Sequence, residues 1–211
     1  MSVTARRTVG VVNYGVGNLG SITGALSRLG YRTKSGRTAD SLAGCDALIL
    51  PGVGAMPYAM NAMQAGGLAQ FIRECYETGD KPMIGICLGM QLMFEHSEEG
   101  NVDALGILGG QVRRLPQDTC HVGWNLCASP TAADPGQPKS EWPNAAYYFN
   151  HSYYVDCDDA MVASRANLKG HPPLPAMVRV GPFTGLQFHP EKSQVAGTDL
   201  LRFLIERHSH D

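Results

Sequence analysis

The residues best placed to do chemistry lie in KPMIGICLGMQL, residues 81–92. The apolar run Pro82-Met83-Ile84-Gly85-Ile86 predicts a short buried strand, and Leu88 to Phe94 predicts a helix. Cys87 falls between them, in the pattern Gly85-x-Cys87-x-Gly89. This is a strand–nucleophile–helix elbow, with cysteine where hydrolases often carry serine. A nucleophile held in so sharp a turn needs small residues two positions to either side, because the backbones crowd there. The helix beginning at Leu88 turns its free N–H groups toward the sulfur. Cysteine is also among the commonest core residues, so an elbow needs a base before it means catalysis.

A candidate base follows in Gln187-Phe188-His189-Pro190-Glu191-Lys192-Ser193. If this stretch is extended, His189 and Glu191 point to the same side. Glu191 would then accept from one imidazole nitrogen while the other faces the nucleophile. His121, His151 and His171 are rival bases, with His171 the weakest because it sits in a Gly-His-Pro-Pro loop. A third constellation is Pro51-Gly52-Val53-Gly54, closing an apolar strand. Glycines there let backbone N–H groups approach a ligand closely. One such N–H, paired with that of Leu88 just after the nucleophile, would form an oxyanion hole. A fourth is Gly15-Val16-Gly17-Asn18-Leu19-Gly20, which satisfies a dinucleotide fingerprint between a strand and a helix. Asp40 lies about 20 residues beyond it and Arg37 would suit a 2′-phosphate. The alternative reading of that loop is a tight βα turn.

The elements that must position these residues are legible in the first 95 residues. Thr8–Asn13, Tyr31–Lys34 and Ala47–Leu50 read as strands. Asn18 is a natural N-cap for a helix over Leu19–Leu29, whose apolar face is Leu19, Ile22, Leu26 and Leu29. A second helical region covers Met56–Tyr76, with Leu68, Phe71, Ile72, Cys75 and Tyr76 on one face. Strands alternating with helices predict a parallel sheet covered on both sides. After Glu95 come short strands, at Gln111–Arg113, Val122–Leu126, Tyr147–Phe149, Tyr153–Val155, Met177–Val180 and Leu186–Phe188. Turns rich in Gly, Pro and Asp separate them, predicting a mostly antiparallel half. Thr131–Ser140 reads as a polar loop, and Thr198–Arg207 as a closing helix that turns Leu200, Leu201, Leu204 and Ile205 inward.

A chain of 211 residues without a linker predicts one domain, over 1–211. Its net charge of −2 gives no reason to expect nucleic acid. No apolar run is long enough for a membrane span, and no signal peptide is evident, so a cytoplasmic location is expected. The six cysteines form no C-x-x-C pair, which argues for free thiols rather than disulfides or structural zinc.

Taken in order, PGVGA (51–55), KPMIGICLGMQL (81–92), HVGWN (121–125), YFNHSYYV (148–155) and LQFHPEKS (186–193) resemble class I glutamine amidotransferases. Within that family they are most similar to the glutaminase subunits of imidazole glycerol phosphate synthases. Met90, the PGVG loop, the GWN triplet and HSYY carry the narrower likeness. Two positions depart from the family pattern. Gly20 stands where arginine is usual, and Cys120 precedes His121 where proline is usual. The resemblance implies a three-layer α/β sandwich around a central, mixed, mainly parallel sheet. It implies Cys87 as nucleophile, His189 as base and Glu191 as its orienter, with the N–H groups of Val53 and Leu88 as the oxyanion hole. Gly52, Gly54, Gln91, His151, Ser152 and Tyr153 would bind L-glutamine, with no metal or organic cofactor. Asn13, Asn18, Trp124 and Lys192 would face a (β/α)8-barrel cyclase subunit in a heterodimer, making imidazole glycerol phosphate and aminoimidazole carboxamide ribotide. A glutaminase serving another synthase, or a stand-alone cysteine hydrolase of the same fold, are the alternatives.

Overall fold

The computed structural model describes residues 6–15, 18–116, 119–128 and 144–206. Val16, Gly17, Arg207 and the Thr131–Ser140 loop expected from sequence lie outside the described residues. The first half runs β1 (Thr8–Val12), α1 (Leu19–Arg28), β2 (Arg32–Gly36), α2 (Ala39–Leu42), β3 (Ala47–Leu50), α3 (Met56–Ala65), α4 (Leu68–Thr78), β4 (Met83–Ile86) and α5 (Leu88–Gln91). The second runs β5 (His96–Ser97), β6 (Val102–Asp103), β7 (Gln111–Arg114), β8 (His121–Ala128), β9 (Ala145–His151), β10 (Tyr153–Asp156), β11 (Val162–Ala166), β12 (Leu174–Val180), β13 (Phe183–Leu186) and α6 (Gln194–Glu206).

A nine-stranded sheet forms the centre, in the order β2-β1-β3-β4-β13-β12-β11-β8-β9. β2, β1, β3, β4 and β13 are parallel, and β12, β11, β8 and β9 continue the sheet antiparallel. β8 and β12 therefore run against the rest, and the sheet is mixed with one dominant direction. β10, β7, β5 and β6 form a smaller second sheet.

Alternation along the strands makes the layers. In β3, Ala47 and Ile49 face one core and Leu48 and Leu50 the other. The first core joins Val9, Val11, Ile84 and Ile86 to Ile22 and Leu26 of α1 and to Leu200, Leu201, Leu204 and Ile205 of α6. The opposite core joins the sheet to α3, α4 and the small sheet, through Met60, Met63, Leu68, Phe71, Ile72, Val112 and Val155. Each such side chain, fully buried, stabilises the fold by about 1.5–3 kcal/mol.

Several boundaries differ from the sequence reading. The helical region expected over Met56–Tyr76 is two helices, because Gly67 adopts φ +66° and breaks the ladder after Gly66. The helix expected to reach Phe94 stops after one turn, at Gln91. The last strand is Phe183–Leu186, not Leu186–Phe188, since it pairs with β4 over Met83–Ile86. Among the described residues no helix is long and apolar enough to cross a membrane.

Candidate active site

Parallel strands end at a common edge, and open α/β sheets bind ligands there. Here β3 delivers Pro51-Gly52-Val53-Gly54, β4 delivers Cys87, and β13 delivers Gln187 and His189. Cys87 itself has φ +48° and ψ −105°, a conformation that costs a side-chain-bearing residue energy and that the surrounding packing must hold. The glycines explain how the turn closes. A Cβ on Gly89 would lie 2.0 Å from the Leu50 carbonyl oxygen, and one on Gly52 would lie 2.0 Å from that of Ile86. The β3 loop and the elbow are thus packed backbone against backbone.

His189 shares the cavity wall with Cys87, and its Nδ1 lies 2.8 Å from Glu191 Oε1. Both partners' side chains are nearly inaccessible, at 3% and 1%. Burial alone would push the imidazole down. The hydrogen bonds and charges of Cys87 and Glu191 outweigh it, so His189 is raised to about 9. It can therefore keep a proton taken from the thiol. The pairing does not arise from an extended stretch, as the spacing suggested. His189 is extended, but Pro190–Lys192 is a 3-10 turn that folds Glu191 back onto the ring. Ser193 Oγ clamps that turn, donating to the His189 carbonyl and accepting from the Tyr148 N–H.

A cavity of about 280 Å³ opens beside the sulfur. Gly52, Val53, Gly54, Leu88, Gln91, His151, Ser152, Tyr153 and Lys192, all named from sequence, line it with Cys87 and His189. Sequence reasoning missed Glu99 and Asn150, which also line it, and gave Cys120 no place there. The Met56 N–H, at the start of α3, donates to Glu99 Oε2 at 3.0 Å and fixes that carboxylate at the cavity wall. Only an acidic pair at the start of a short turn marked it, and surface glutamates share that signature. Asn13, Asn18 and Trp124 lie outside this cavity. The Asn13 side chain accepts from Gly15 N–H, Asn18 caps α1 through Ser21 N–H, and Trp124 is half exposed on β8.

The rival histidines have other employment. Carbonyls only accept, so His151 Nδ1, 2.8 Å from Tyr153 O, carries the hydrogen. Burial first, then the charges of His121 and His189, hold His151 down at about 4 despite that bond, so it is neutral. Its Nε2 then accepts from His121 Nδ1 at 3.0 Å, and His121 Nε2 accepts from Asn125 Nδ2 at 3.2 Å. His121 also stacks on Phe149, with centroids 4.5 Å apart. His171 follows a turn and is absent from the cavity lining.

The fold that carries this cysteine, histidine and glutamate has solved counterparts. One is a crystal structure of a glutamine amidotransferase, with TM-score 0.74 and 23% identity over 95% of this chain and 98% of that one. Another is PurLQS from Thermotoga maritima, with TM-score 0.74 and 20% identity over 96% and 99%. At these identities they establish the fold alone. The glutamine amidotransferase class-I family model matches residues 11–206. The chain belongs to the class-I glutamine amidotransferases. It is 38% identical to the imidazole glycerol phosphate synthase subunit HisH of Bacillus cytotoxicus, over 92% of this chain and 91% of that one. Against the same subunit from Xanthomonas axonopodis pv. citri it is 40% identical, over 94% and 96%. The likeness read from the motifs thus extends along the chain, and this amidotransferase is an enzyme of that family.

Proposed function

We propose that this amidotransferase hydrolyses L-glutamine to glutamate and ammonia through a Cys87 thioester, and hands the ammonia to a cyclase subunit. That partner, a (β/α)8 barrel, would convert it into imidazole glycerol phosphate and aminoimidazole carboxamide ribotide. The observation carrying the reading is the buried Cys87–His189–Glu191 set opening onto a cavity with a fixed carboxylate, Glu99. Sγ attacks the side-chain carboxamide carbon, and His189 holds the thiol proton. The oxyanion rests on the N–H groups of Val53 and Leu88. Collapse breaks the C–N bond, His189 passes its proton to the leaving ammonia, and water then cleaves the thioester with His189 as base. Glu99 and Gln91 Oε1 suit the substrate ammonium, and the backbone of His151, Ser152 and Tyr153 borders the amino-acid end.

Hydrolysis without an acceptor wastes glutamine, so the reading includes control. Val53 sits 39% exposed between two glycines, and Gly54 has φ +130°, so the Val53 peptide can turn at low steric cost. Turning its N–H away removes one oxyanion donor, a loss of about 10²–10³ in rate. Asn13, Asn18, Trp124 and Lys192 are the surfaces through which a partner would favour the turned-in state. The test is steady-state glutamate release by the isolated chain, then with the histidine-pathway cyclase, then with the cyclase and its phosphoribosyl ligand. A rise of at least about 10²-fold in the last mixture is expected. Full-speed hydrolysis by the isolated chain, unchanged by either addition, would favour the stand-alone hydrolase.

A further inference from the structure

Gln187 is 1% exposed and follows β13, whose Leu186 pairs with Ile86 of β4. The parallel register therefore sets Gln187 beside Cys87, and the Cys87 N–H donates to the Leu186 carbonyl at 2.6 Å. Two residues on, His189 leaves the extended chain on the same side. Phe188, between them, points the other way and stacks on Tyr147 with centroids 4.0 Å apart. One strand end thus aims two polar side chains at one sulfur. Gln187 Nε2 lies 3.6 Å from Cys87 Sγ.

The orientation of the Gln187 amide follows from its neighbours. Tyr153 O can only accept, so the group 2.9 Å from it on Gln91 is the NH2, Nε2. The same Nε2 lies 3.2 Å from Gln187, which must present its oxygen there. The Gln187 NH2 is left to face the sulfur. Gln91 Nε2 thereby spends both its hydrogens on Tyr153 and Gln187.

From this network we infer that Gln187 is a further catalytic residue, donating an N–H to the Cys87 sulfur and stabilising it as an anion. The inference rests on Cys87 being the nucleophile. When His189 takes the thiol proton, the sulfur carries negative charge, and the Gln187 donor offsets it and fixes the direction of attack. The same donor receives the sulfur when the thioester breaks. A hydrogen bond to a charged group is worth about 10- to 100-fold in an equilibrium or rate.

Two variants test this. Gln187→Leu removes the donor. Gln187→Glu keeps an oxygen for Gln91 to donate to, yet removes the N–H from the sulfur. The measurement is the rate of iodoacetamide modification of Cys87, read by peptide mass mapping, which needs neither glutamine nor a partner and so stands if the glutaminase reading fails. Both variants are expected to label at least about 10-fold more slowly than the parent. Where glutamine turnover is measured, kcat should fall by a similar factor with KM within about 3-fold. Parental labelling rates in either folded variant would overturn the inference. So would a rise in KM alone, which would make Gln187 only a prop for Gln91. Loss of folding in both variants would assign it to the core instead and also overturn it.

Discussion

Cys87 is one of six free cysteines, and burial raises the thiols of Cys45, Cys75, Cys127 and Cys157. What separates Cys87 from them is a His189–Glu191 pair lining the same cavity. Replacing His189 with alanine should nearly abolish glutamate release. Glu191→Gln should cost less, because the base remains and only its orientation and charge stabilisation weaken. Steady-state glutamate assays of the partnered enzyme check both, and a harmless His189→Ala would mean the base lies elsewhere. His121 is absent from the cavity lining, yet it is expected to influence substrate binding. It holds the His151 tautomer, and His151 holds the Tyr153 carbonyl that Gln91 shares. His121→Phe keeps the ring against Phe149 and removes two neutral hydrogen bonds, of which the one to His151 is worth about 2- to 10-fold. KM for glutamine should rise by that factor with kcat nearly unchanged. A fall in kcat at constant KM would contradict the role.

The elbow works because two strand ends and a loop touch through glycine backbones. Gly89→Ala should therefore destabilise the fold by more than about 3 kcal/mol, beyond ordinary single substitutions. Gly44→Ala, with nothing within 4 Å of the added methyl, should stay within about 0.5 kcal/mol. Urea denaturation of the pair checks this, and equal midpoints would refute the packing argument. The sequence showed this element well because its demand is local: small residues at fixed spacing about a cysteine in a sharp turn. It also showed α1, β3 and the inward face of α6, where period and capping agree. It missed β5 and β6, which are two residues each, too short for any alternation, and β11, whose Ser164 and Arg165 mask its apolar positions. Joining α3 to α4 ignored a Gly-Gly pair that turns the chain. Glu99 and Gln187 went unread as site residues for another reason. Their roles depend on which strands become neighbours, and nothing within either stretch records that.

At the scale of the whole molecule, two buried histidines bound the pH range of stability from opposite sides. His151 is lowered from 6.5 to about 4, so the unfolded chain binds the proton first and stability falls as pH drops from about 6.5 to 4. His189 is raised from 6.5 to about 9, so the folded chain holds the proton longer. Its contribution is complete below about 6.5 and is lost as pH climbs through about 9. Thermal denaturation across pH should show a maximum near neutrality, and His151→Asn should flatten the acid limb. An unchanged acid limb in that variant would remove His151 as its cause. The sheet, the glycine loop and the hydrogen-bonded histidines all bear on the proposed event, attack of the Cys87 sulfur on glutamine. The most direct measurement is acid quenching of the partnered enzyme during turnover, followed by peptide mass mapping. The predicted result is a glutamyl adduct on the Cys87 peptide, absent from Cys87→Ala, which releases no glutamate. An adduct on Cys120 or another cysteine, or glutamate release that survives Cys87→Ala, would contradict it.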